Sequence, residues 1–335
     1  MKRKIATLAL CALFLVIAGA ITACNENKKE NDLTKVTLNE VAHSIFYAPM
    51  YAAIELGYFE EEGIDLELVT GFGADKTMTA VVSGEAQIGF MGSESSIYLY
   101  AEGAEDYAVN FAQLTQRAGN FLISREPVKD FKWQDLKGKY VLGGRKGGMP
   151  QMVFEYILKQ NGIDPAKDLT IDQSIDFGAT AAAFIGGDAD YTVEFEPSAT
   201  ALELEKEGYV VASLGVDSGY VPYTAFCALN SYIEKNPDVI QGVTNALQKG
   251  MEYVNSHTPA EIAKTIAPQF VETEITTIET IITRYYEQDT WKEDLVFSED
   301  AFTLLQDILD EAGELPERVP YDKLVDTSFA KKAVK

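Results

Sequence analysis

Strand-like and helix-like segments alternate along the first third of this chain. Strand candidates lie at 35–41, 64–69 and 86–91. Helix candidates, in which apolar residues recur at helical spacing, begin near Pro49 and cover 74–83 and 94–101. Parallel strands need a crossover connection, which is usually a helix. The order βαβαβα therefore predicts an α/β fold with a mainly parallel sheet covered by helices.

The alternation continues through the middle of the chain and then gives way to helices. Two strand candidates follow each other between 109 and 124. Further strand candidates lie at 140–143, 191–195, 209–214 and 224–229, with helix candidates at 150–161, 179–185 and 197–207. From 230 to 328 the pattern is almost wholly helical. We therefore expect a helical C-terminal region.

The N-terminus has the pattern of an export signal. It begins with the basic residues of MKRK, continues with about 17 apolar residues to Ile21, and places small residues before Cys24. The segment ITAC resembles the lipobox of bacterial lipoprotein precursors, which implies that the signal, 1–23, is removed and Cys24 is lipidated. An uncleaved membrane anchor is the alternative, because the apolar run approaches the length of a membrane span. Residues 24–34 are polar and predict a flexible tether.

Cysteine and histidine usage limits the chemistry. Once Cys11 leaves with the signal and Cys24 is lipidated, Cys227 is the one cysteine left, so no internal disulfide is expected. Cys227 lies in an apolar run and is expected to be a small buried hydrophobe. His43 and His257 are close in sequence neither to each other nor to a cysteine. We therefore expect no metal site and no cofactor.

Charge and length limit the cargo and the architecture. The formal net charge is −24, and loss of Lys2, Arg3 and Lys4 with the signal would make it −27. Such a surface repels phosphate polymers and anionic headgroups, so we expect neither nucleic acid nor lipid as cargo. The remaining chain of about 300 residues is too long for one compact core. We expect two lobes, in a protein that works as a monomer.

Three sequence blocks, taken in order, resemble a known family. They are SIFYAPMYAAIELGYFEEEGIDLELV, VVSGEAQIGFMGSES and DLKGKYVLGGRKGGMPQMVFEYILKQNGI. Together they resemble the SsuA/THI5-like (NMT1) solute-binding proteins of bacterial ABC importers, over roughly 36–268. The resemblance implies a type II periplasmic-binding-protein fold, in which two α/β lobes enclose a central cleft and the chain crosses between them twice.

The resemblance also implies how the chain is divided and how it works. We place the first crossing near 116–120 and the return near 217–223. Lobe 1 would then comprise 35–116 with 222–328, and lobe 2 would comprise 117–221. A small-molecule ligand would lie in the cleft, and the lobes would close on it by a hinge. The permease of an importer would then recognise the closed state.

A glycine-rich loop, GGRKGGMP at 143–150, separates a strand candidate from a helix candidate. It lacks the Gly-Lys-Ser/Thr ending of a P-loop, so we do not expect an NTPase site. Free amides at the start of a helix favour anionic or hydrogen-bond-accepting groups. The ligand candidates in this loop are Arg145, Lys146, Gly147, Gly148 and Met149. The alternative is a tight strand-to-helix connection whose Arg-Lys pair is solvated.

Other cleft candidates follow from the rule that ligands sit beyond the carboxyl ends of parallel strands. In lobe 1 they are Ser44, Phe46, Tyr47, Gly92, Ser93, Glu94, Gln113, Thr115 and Arg117. In lobe 2 they are Phe177, Gly178, Glu194 and Glu196, with Tyr223 at the return crossing. Core packing is the alternative for Phe46 and Tyr47, and an acid in the first turn of a helix is the alternative for Glu196. Glu194 ends an apolar strand, so its carboxylate must face a cleft or a partner.

Two ligand chemistries fit these candidates. If Arg117, Arg145 and the glycine amides dominate, the ligand is an anion such as an aliphatic sulfonate or taurine. If the aromatic residues and Glu194 dominate, the ligand is a flat heterocycle with amino groups, such as a thiamine-precursor pyrimidine. The acids offered by both lobes favour the heterocycle.

Two functions of other classes remain open from the sequence. The fungal THI5 branch of the family resembles a pyrimidine synthase, but that branch depends on a cysteine-rich metal motif and a reactive histidine. Cys227 and two distant histidines offer no equivalent, so we do not expect an enzyme. A lipid-anchored sensor without an importer is the second alternative. A permease and an ATPase encoded beside the gene would distinguish the importer from the sensor.

Overall fold

The computed structural model describes residues 33–176, 178–315 and 317–334. The predicted signal, Cys24 and nearly all of the predicted tether lie outside the described residues. Thr34, which we assigned to the end of the tether, is instead the first residue of a strand, because it pairs with Ile64 of the neighbouring strand. None of the helices in the described ranges combines the length and the apolar character needed to span a membrane.

The described residues form two five-stranded sheets. The strands are β1 (Thr34–Glu40), β2 (Ile64–Thr70), β3 (Ile88–Gly92), β4 (Ala108–Thr115), β5 (Asn120–Ser124), β6 (Tyr140–Leu142), β7 (Thr170–Asp172), β8 (Tyr191–Phe195), β9 (Tyr209–Ser213) and β10 (Thr224–Leu229). The strand order is β2-β1-β3-β10-β4 in the first sheet and β7-β6-β8-β5-β9 in the second. The chain passes to the second sheet after β4 and returns to the first after β9.

Each sheet is parallel except for one strand. β10 runs antiparallel to β3 and β4, and β5 runs antiparallel to β8 and β9. These are the two strands that follow a crossing between the sheets. Thr224 at the start of β10 therefore pairs with Gly92 at the end of β3, and Asn120 at the start of β5 pairs with Phe195 at the end of β8. Strand ends and crossing residues thus gather at one edge of each sheet.

Helices cover both sheets. They are α1 (Ala48–Glu55), α2 (Tyr58–Glu61), α3 (Ala74–Ser83), α4 (Glu94–Ala101), α5 (Met149–Gln160), α6 (Thr180–Gly186), α7 (Ser198–Glu205), α8 (Leu214–Asp217), α9 (Asn230–Lys235), α10 (Pro237–Ser256), α11 (Pro259–Ile266), α12 (Ile275–Glu287), α13 (Glu299–Ala312), α14 (Tyr321–Leu324) and α15 (Ser328–Ala333). Single 3₁₀ turns lie at Ile45–Tyr47, Trp133–Leu136 and Ala267–Gln269. The bounds of α3 and α4 are those that the apolar spacing predicts.

One segment in the C-terminal region departs from the predicted helical pattern. Residues 288–298 form no helix and lie along the edge strand β4. The Gln113 amide donates to the Leu295 carbonyl oxygen at 2.9 Å, and Thr115 forms an isolated bridge with Trp291. The segment thereby supplies hydrogen-bond partners to a strand that would otherwise be an exposed edge.

Most buried hydrophobic side chains of the two sheets form one continuous cluster, and a smaller separate cluster includes Met78, Met91 and Cys227. The chain length predicts more than one compact core, whereas the main cluster spans both sheets. The ring of Phe46 lies 6.0 Å from Phe195, 5.8 Å from Tyr223 and 5.2 Å from Tyr285, centroid to centroid. These four rings come from β8, from the return crossing, from α12 and from the turn before α1. Aromatic side chains therefore fill the space beside the crossings and join the two cores.

Helix α10 packs closely against α1 at one glycine. A Cβ atom added at Gly250 would overlap the Pro49 carbonyl oxygen. We therefore expect Gly250→Ala to push the two helices apart and to lower the free energy of unfolding by about 1–3 kcal/mol, as overpacking does. The measurement is the midpoint of urea denaturation.

Gly242→Ala is the matched control, on the same helix. The nearest atom to its added Cβ would be Cδ1 of Ile64 at 3.2 Å, which is the end of a side chain that can move. Both substitutions gain the same helix propensity, about 1 kcal/mol. A midpoint for Gly250→Ala equal to that for Gly242→Ala would show that the close approach is not rigid.

Candidate functional site

A cavity of about 800 Å³ lies where strand ends and crossing residues gather. Its lining includes thirteen of the residues that the sequence predicts to bind the ligand. They are Ser44, Tyr47, Gly92, Glu94, Arg145, Lys146, Gly147, Gly148, Met149, Gly178, Glu194, Glu196 and Tyr223. The volume is in the range of pockets that hold small organic ligands.

The structure places several predicted residues away from the cavity lining. Phe46 is fully buried in the aromatic cluster, so its alternative role in core packing applies. The Ser93 hydroxyl donates to the Pro222 carbonyl oxygen at 2.5 Å. Gln113 and Thr115 lie on the edge strand β4, which β3 and β10 separate from β1, and they are bonded to the segment 288–298. Phe177 lies outside the described residues.

Arg117 also differs from its predicted role as a ligand residue. Its guanidinium donates to the Gly215 carbonyl oxygen at 3.1 Å and lies 4.2 Å from the centroid of the Tyr220 ring. The Tyr220 hydroxyl in turn donates to the Asp289 carboxylate at 2.5 Å. Arg117 therefore joins the outgoing and returning crossings, and its guanidinium contacts other residues of the protein.

The amides of the glycine-rich loop are occupied by acceptors of the protein itself. The Gly147 amide donates to Oε1 of Gln151 at 2.9 Å, and the Gly148 amide donates to the Arg145 carbonyl oxygen at 3.2 Å. Gly144 and Gly147 have φ of 87° and 81°, a left-handed conformation that glycine adopts readily. The loop is thus a tight connection into α5, and these two amides are not directed at an anion.

Glu94 interacts with the next amide along the chain, that of Met149. Glu94 lies in the first turn of α4, and its side chain accepts a hydrogen bond from the backbone amide of Met149, the first residue of α5. An element of the first sheet is thereby bound to an element of the second. Gly92 makes room for this carboxylate, because a Cβ at Gly92 would overlap it.

Glu94 is the strongest candidate for ligand binding. It is 2% exposed and lines the cavity, and its Oε2 atom has no hydrogen-bond partner in the described part of the chain. Burial raises the pKa of the Glu94 carboxyl to about 8, although two backbone hydrogen bonds act to lower it. Leaving a buried acceptor unpaired costs about 1–3 kcal/mol. A ligand that donates a hydrogen bond to Oε2 would remove this cost.

Glu194 is a second buried acid at the cavity. It lies on β8 and is 3% exposed. Its Oε1 accepts from the Thr192 hydroxyl at 2.7 Å, and its Oε2 accepts from the Thr180 hydroxyl at 3.0 Å. Burial raises the pKa of the Glu194 carboxyl to about 7, and the two hydroxyl hydrogen bonds oppose that shift. The cavity thus contains two carboxyl groups that are costly to ionise without a partner.

Glu196 serves mainly the fold. Its carboxylate accepts from the Thr200 amide and hydroxyl, each at 2.9 Å, and from the Arg284 guanidinium at 2.6 Å. Thr200 lies in the first turn of α7, but Glu196 itself precedes the helix, so it caps the start of α7 from outside and is not the first-turn acid of the alternative. The backbone carbonyl oxygen of Glu196 accepts a hydrogen bond from the Ser44 hydroxyl at 2.7 Å, and this contact joins elements of the two sheets.

The basic residues of the site lie at its rim. Arg145 pairs with Asp75 at 3.2 Å, but the two side chains are 47% and 55% exposed. Lys146 is 70% exposed and lies 3.5 Å from Glu314. Exposed ion pairs of this kind contribute little, because solvent screens them. The buried electrostatics of the cavity are therefore set by the acids.

Sequence reasoning missed several residues of the cavity lining. Phe72 and Asp75 follow the end of β2, so the strand-end rule applied to that strand would have found them. Asn120 begins β5 and is 1% exposed. Its amide oxygen accepts from the Tyr223 hydroxyl at 2.5 Å, while its Nδ2 has no partner in the described residues. No pattern in the sequence distinguishes this asparagine.

His43, which is not among the predicted ligand residues, also lines the cavity. Its Nδ1 lies 2.8 Å from the fully buried Glu40 carboxylate, and its Nε2 lies 2.8 Å from the Gln269 carbonyl oxygen. Both partners are acceptors, an arrangement that favours the protonated imidazole, in which both ring nitrogens donate. Partial burial lowers the pKa of His43, but the hydrogen bonds to Glu40 and Gln269 together raise it above its ordinary value.

In the described residues, no group of three or more His, Cys, Asp and Glu side chains is arranged to hold a metal ion. Cys227 is buried with no disulfide partner, and burial raises the pKa of its thiol to about 12. This thiol packs beside Met78, Val81 and Met91 as a small hydrophobic side chain.

Comparison with known sequences finds one matching family and two relatives that cover most of this chain. The sequence family described as NMT1/THI5 like matches residues 45–262. A Bacillus subtilis (strain 168) protein named "Putative binding protein YtlA" is 46% identical over 322 residues, which cover 96% of each chain. A formylaminopyrimidine-binding protein of Halalkalibacterium halodurans is 24% identical over 259 residues, covering 75% of this chain and 74% of that protein.

A solved structure shows the same fold. The alkanesulfonate-binding protein SsuA from Xanthomonas axonopodis pv. citri, bound to MOPS, superposes with a TM-score of 0.72 at 17% identity. The match covers 89% of this chain and 99% of that one. The predicted α/β fold of the periplasmic-binding-protein type is therefore confirmed.

The two buried acids make a prediction about pH. A folded-state pKa of about 8 for Glu94 means that the folded protein holds a proton that the unfolded chain releases near its ordinary pKa of 4.5. The free energy of unfolding of the ligand-free protein should therefore fall as the pH rises from about 4.5 to 8. Glu194 adds to this fall up to about pH 7. The measurement is urea denaturation at a series of pH values.

Glu94→Gln removes this titration and keeps the shape of the side chain. We expect the variant to show a clearly shallower fall over the same pH range, with the remaining slope due to Glu194, Glu196, Asp217 and His43, whose pKa values are also raised. Glu105→Gln is the matched control, because Glu105 is exposed and close to the end of the same helix. Identical slopes in the wild type and in Glu94→Gln would contradict the role given to this carboxyl group.

Proposed function

This chain belongs to the NMT1/THI5-like family, and from that membership we propose that it is the extracytoplasmic substrate-binding protein of a bacterial ABC importer. It captures a small organic solute in the cavity and presents it to the permease. The observation that carries the proposal is the pair of buried acids, Glu94 and Glu194, at the base of a cavity of small-molecule size. We propose capture without chemical change, by a monomer.

We propose that the ligand is a heterocycle with amino groups, such as a thiamine-precursor pyrimidine. An amino group donates hydrogen bonds, which Glu94 and Glu194 accept, and a ring nitrogen accepts one, which the Nδ2 atom of Asn120 can donate. Tyr47 and Tyr223 line the same cavity and offer apolar ring surface to a flat ligand. A relative at 24% identity is named for binding a formylaminopyrimidine, which supports the same ligand class.

A sulfonate or taurine-type anion is the alternative ligand, and the buried carboxyl groups disfavour it, because an anion beside them would further oppose their ionisation. A sulfonate would have to lie beside two acids, while the amides at the start of α5 are already occupied. Arg145 remains as a rim cation, but Asp75 already pairs with it. The likeness to an alkanesulfonate-binding protein supports the shared fold and leaves the ligand to be tested.

We propose that the two sheets belong to two lobes, 35–116 with 222–328 and 117–221, which close on the ligand by a hinge. Three contacts support this, because each joins elements of the two sheets around the cavity. They are Ser44 with the Glu196 carbonyl oxygen at 2.7 Å, Tyr98 with the Gly147 carbonyl oxygen at 3.2 Å, and Arg145 with Asp75. The shared aromatic cluster lies beside the crossings, where a pivot would lie.

Ligand class is tested by thermal unfolding with added solutes. We expect 4-amino-2-methylpyrimidines to raise the unfolding temperature by several degrees, because a ligand bound to the folded state alone stabilises it. Taurine and alkanesulfonates should leave the unfolding temperature unchanged. A clear shift with sulfonates beside no shift with aminopyrimidines would reverse the assignment of the ligand.

Two variants locate the binding. Glu94→Gln and Glu194→Gln should each weaken aminopyrimidine binding about tenfold or more, because hydrogen bonds to a charged group contribute about 1.5–3 kcal/mol. Glu105→Gln again serves as the control. Titration calorimetry gives the affinities, and unchanged affinity in both cavity variants would separate the ligand from these acids.

We also propose that the mature protein begins at Cys24 and is held to the membrane by lipid on that residue. More than one acyl chain is needed for stable anchoring, so removal of the thiol should release the protein. In a bacterial host that processes lipoproteins, the wild type should incorporate labelled palmitate and sediment with membranes. Cys24→Ala should do neither, whereas Cys227→Ala should behave as the wild type. Labelling of Cys24→Ala would contradict the proposal.

A further inference from the structure

The cavity extends beyond the buried acids along one face of α3 and one face of α4. Met78 and Val82, four residues apart on α3, line it, as does Leu99 on α4. Residues four apart lie on the same side of a helix, so these positions form a continuous surface. We call this extension the apolar arm and define it by Phe72, Met78, Val82 and Leu99.

The apolar arm exposes hydrophobic side chains that the fold itself does not require. Val82 is 50% exposed and Phe72 is 59% exposed, although both line the cavity. Phe72 also has a φ of 56°, a left-handed conformation that is unfavourable for an aromatic residue. It lies between Gly71 and Gly73. A strained backbone that presents an apolar ring to a binding cavity is a feature of functional sites.

The arm is continuous with the site of the buried acids. Glu94 and Leu99 lie on the same helix, and both line the one cavity of about 800 Å³. Cavities of this volume match ligands larger than a single six-membered ring. A ring held at Glu94 would leave the surface of Phe72, Met78 and Val82 uncovered. Covering that surface would stabilise the complex, because burial of apolar area is favourable.

We propose that the apolar arm binds an apolar substituent of the ligand, so that the natural solute is an amino-bearing heterocycle with a hydrophobic extension and not a single ring. The head-group chemistry of this inference rests on the proposed function. The arm itself depends only on a head with hydrogen-bond donors that Glu94 can hold. Chain-length dependence of binding is the property that distinguishes the arm from the head.

The experiment is titration calorimetry of the mature protein with two series of probes. The first consists of 4-aminopyrimidines with n-alkyl groups from methyl to hexyl on ring carbon 5. The second consists of n-alkylamines of the same chain lengths, which offer the donor head without the ring. In the wild type we expect affinity to rise roughly two- to fourfold per added methylene, the range from half to full burial of a CH₂ group.

Two variants test the position of the arm. Val82→Asn introduces a neutral polar group on an exposed helix position, so the charge of the cavity and the fold are kept. Phe72→Asn removes the ring, and asparagine tolerates the left-handed backbone. Each should reduce the gain per methylene and leave the affinity of the shortest probe unchanged. Val271→Asn is the matched control, because Val271 is 82% exposed and lies outside the cavity lining.

The results of the two series and the three variants distinguish the arm from the head group. Rising affinity in both series, reduced in the two arm variants and kept in the control, supports the proposal. If only the alkylamines bind and show this behaviour, the arm is supported and the heterocyclic head of the proposed function is wrong. Flat or falling affinity with chain length overturns the arm, while the proposed function survives if the shortest aminopyrimidine binds. If affinity rises with chain length but neither variant reduces the rise, the substituent binds elsewhere and the arm is overturned. If no probe of either series binds, both the arm and the proposed ligand class are overturned.

Discussion

The site depends on one buried carboxyl group that joins the two sheets. Glu94 stands at the start of α4 and accepts a hydrogen bond from the amide of Met149 at the start of α5. Helix starts attract negative charge, so each helix favours the carboxylate in this place. The Met149 amide stabilises the ionised form of this carboxyl group, while its Oε2 atom lacks a partner in the described residues. The same group therefore positions the two sides of the cavity and offers an acceptor to a ligand.

This arrangement explains why the glycine-rich loop is not an anion site. Its left-handed glycines bring the chain sharply from β6 into α5, and its amides bind Gln151, the Arg145 carbonyl oxygen and Glu94. With these donors occupied and the basic side chains exposed at the rim, the buried part of the cavity is acidic. A ligand with hydrogen-bond donors matches that electrostatic character, and an anion does not.

The aromatic cluster joins the two sheets beside both crossings. Phe46, Phe195, Tyr223 and Tyr285 lie against one another beside both crossings. Closely packed interiors have few voids, so the hinge that we propose would have to leave this cluster intact. Arg117, placed between the crossings, strengthens the same region.

The sequence alone determined the elements and the edge at which the site lies. Periodicity gave every strand except the three-residue β7, and the bounds of α3 and α4, because a two-residue repeat and a 3.6-residue repeat are local properties. The strand-end rule then located Glu94 and Glu194 at the cavity. Only the tertiary structure decided which candidates face it. Thr115 is bonded to Thr224 and Trp291 and does not line the cavity. Arg117 likewise donates to Gly215. Asn120, which the sequence did not single out, lines the cavity and accepts from Tyr223. Such partners are distant in the chain, and hydrogen bonds between distant residues leave no periodic pattern from which they could be predicted.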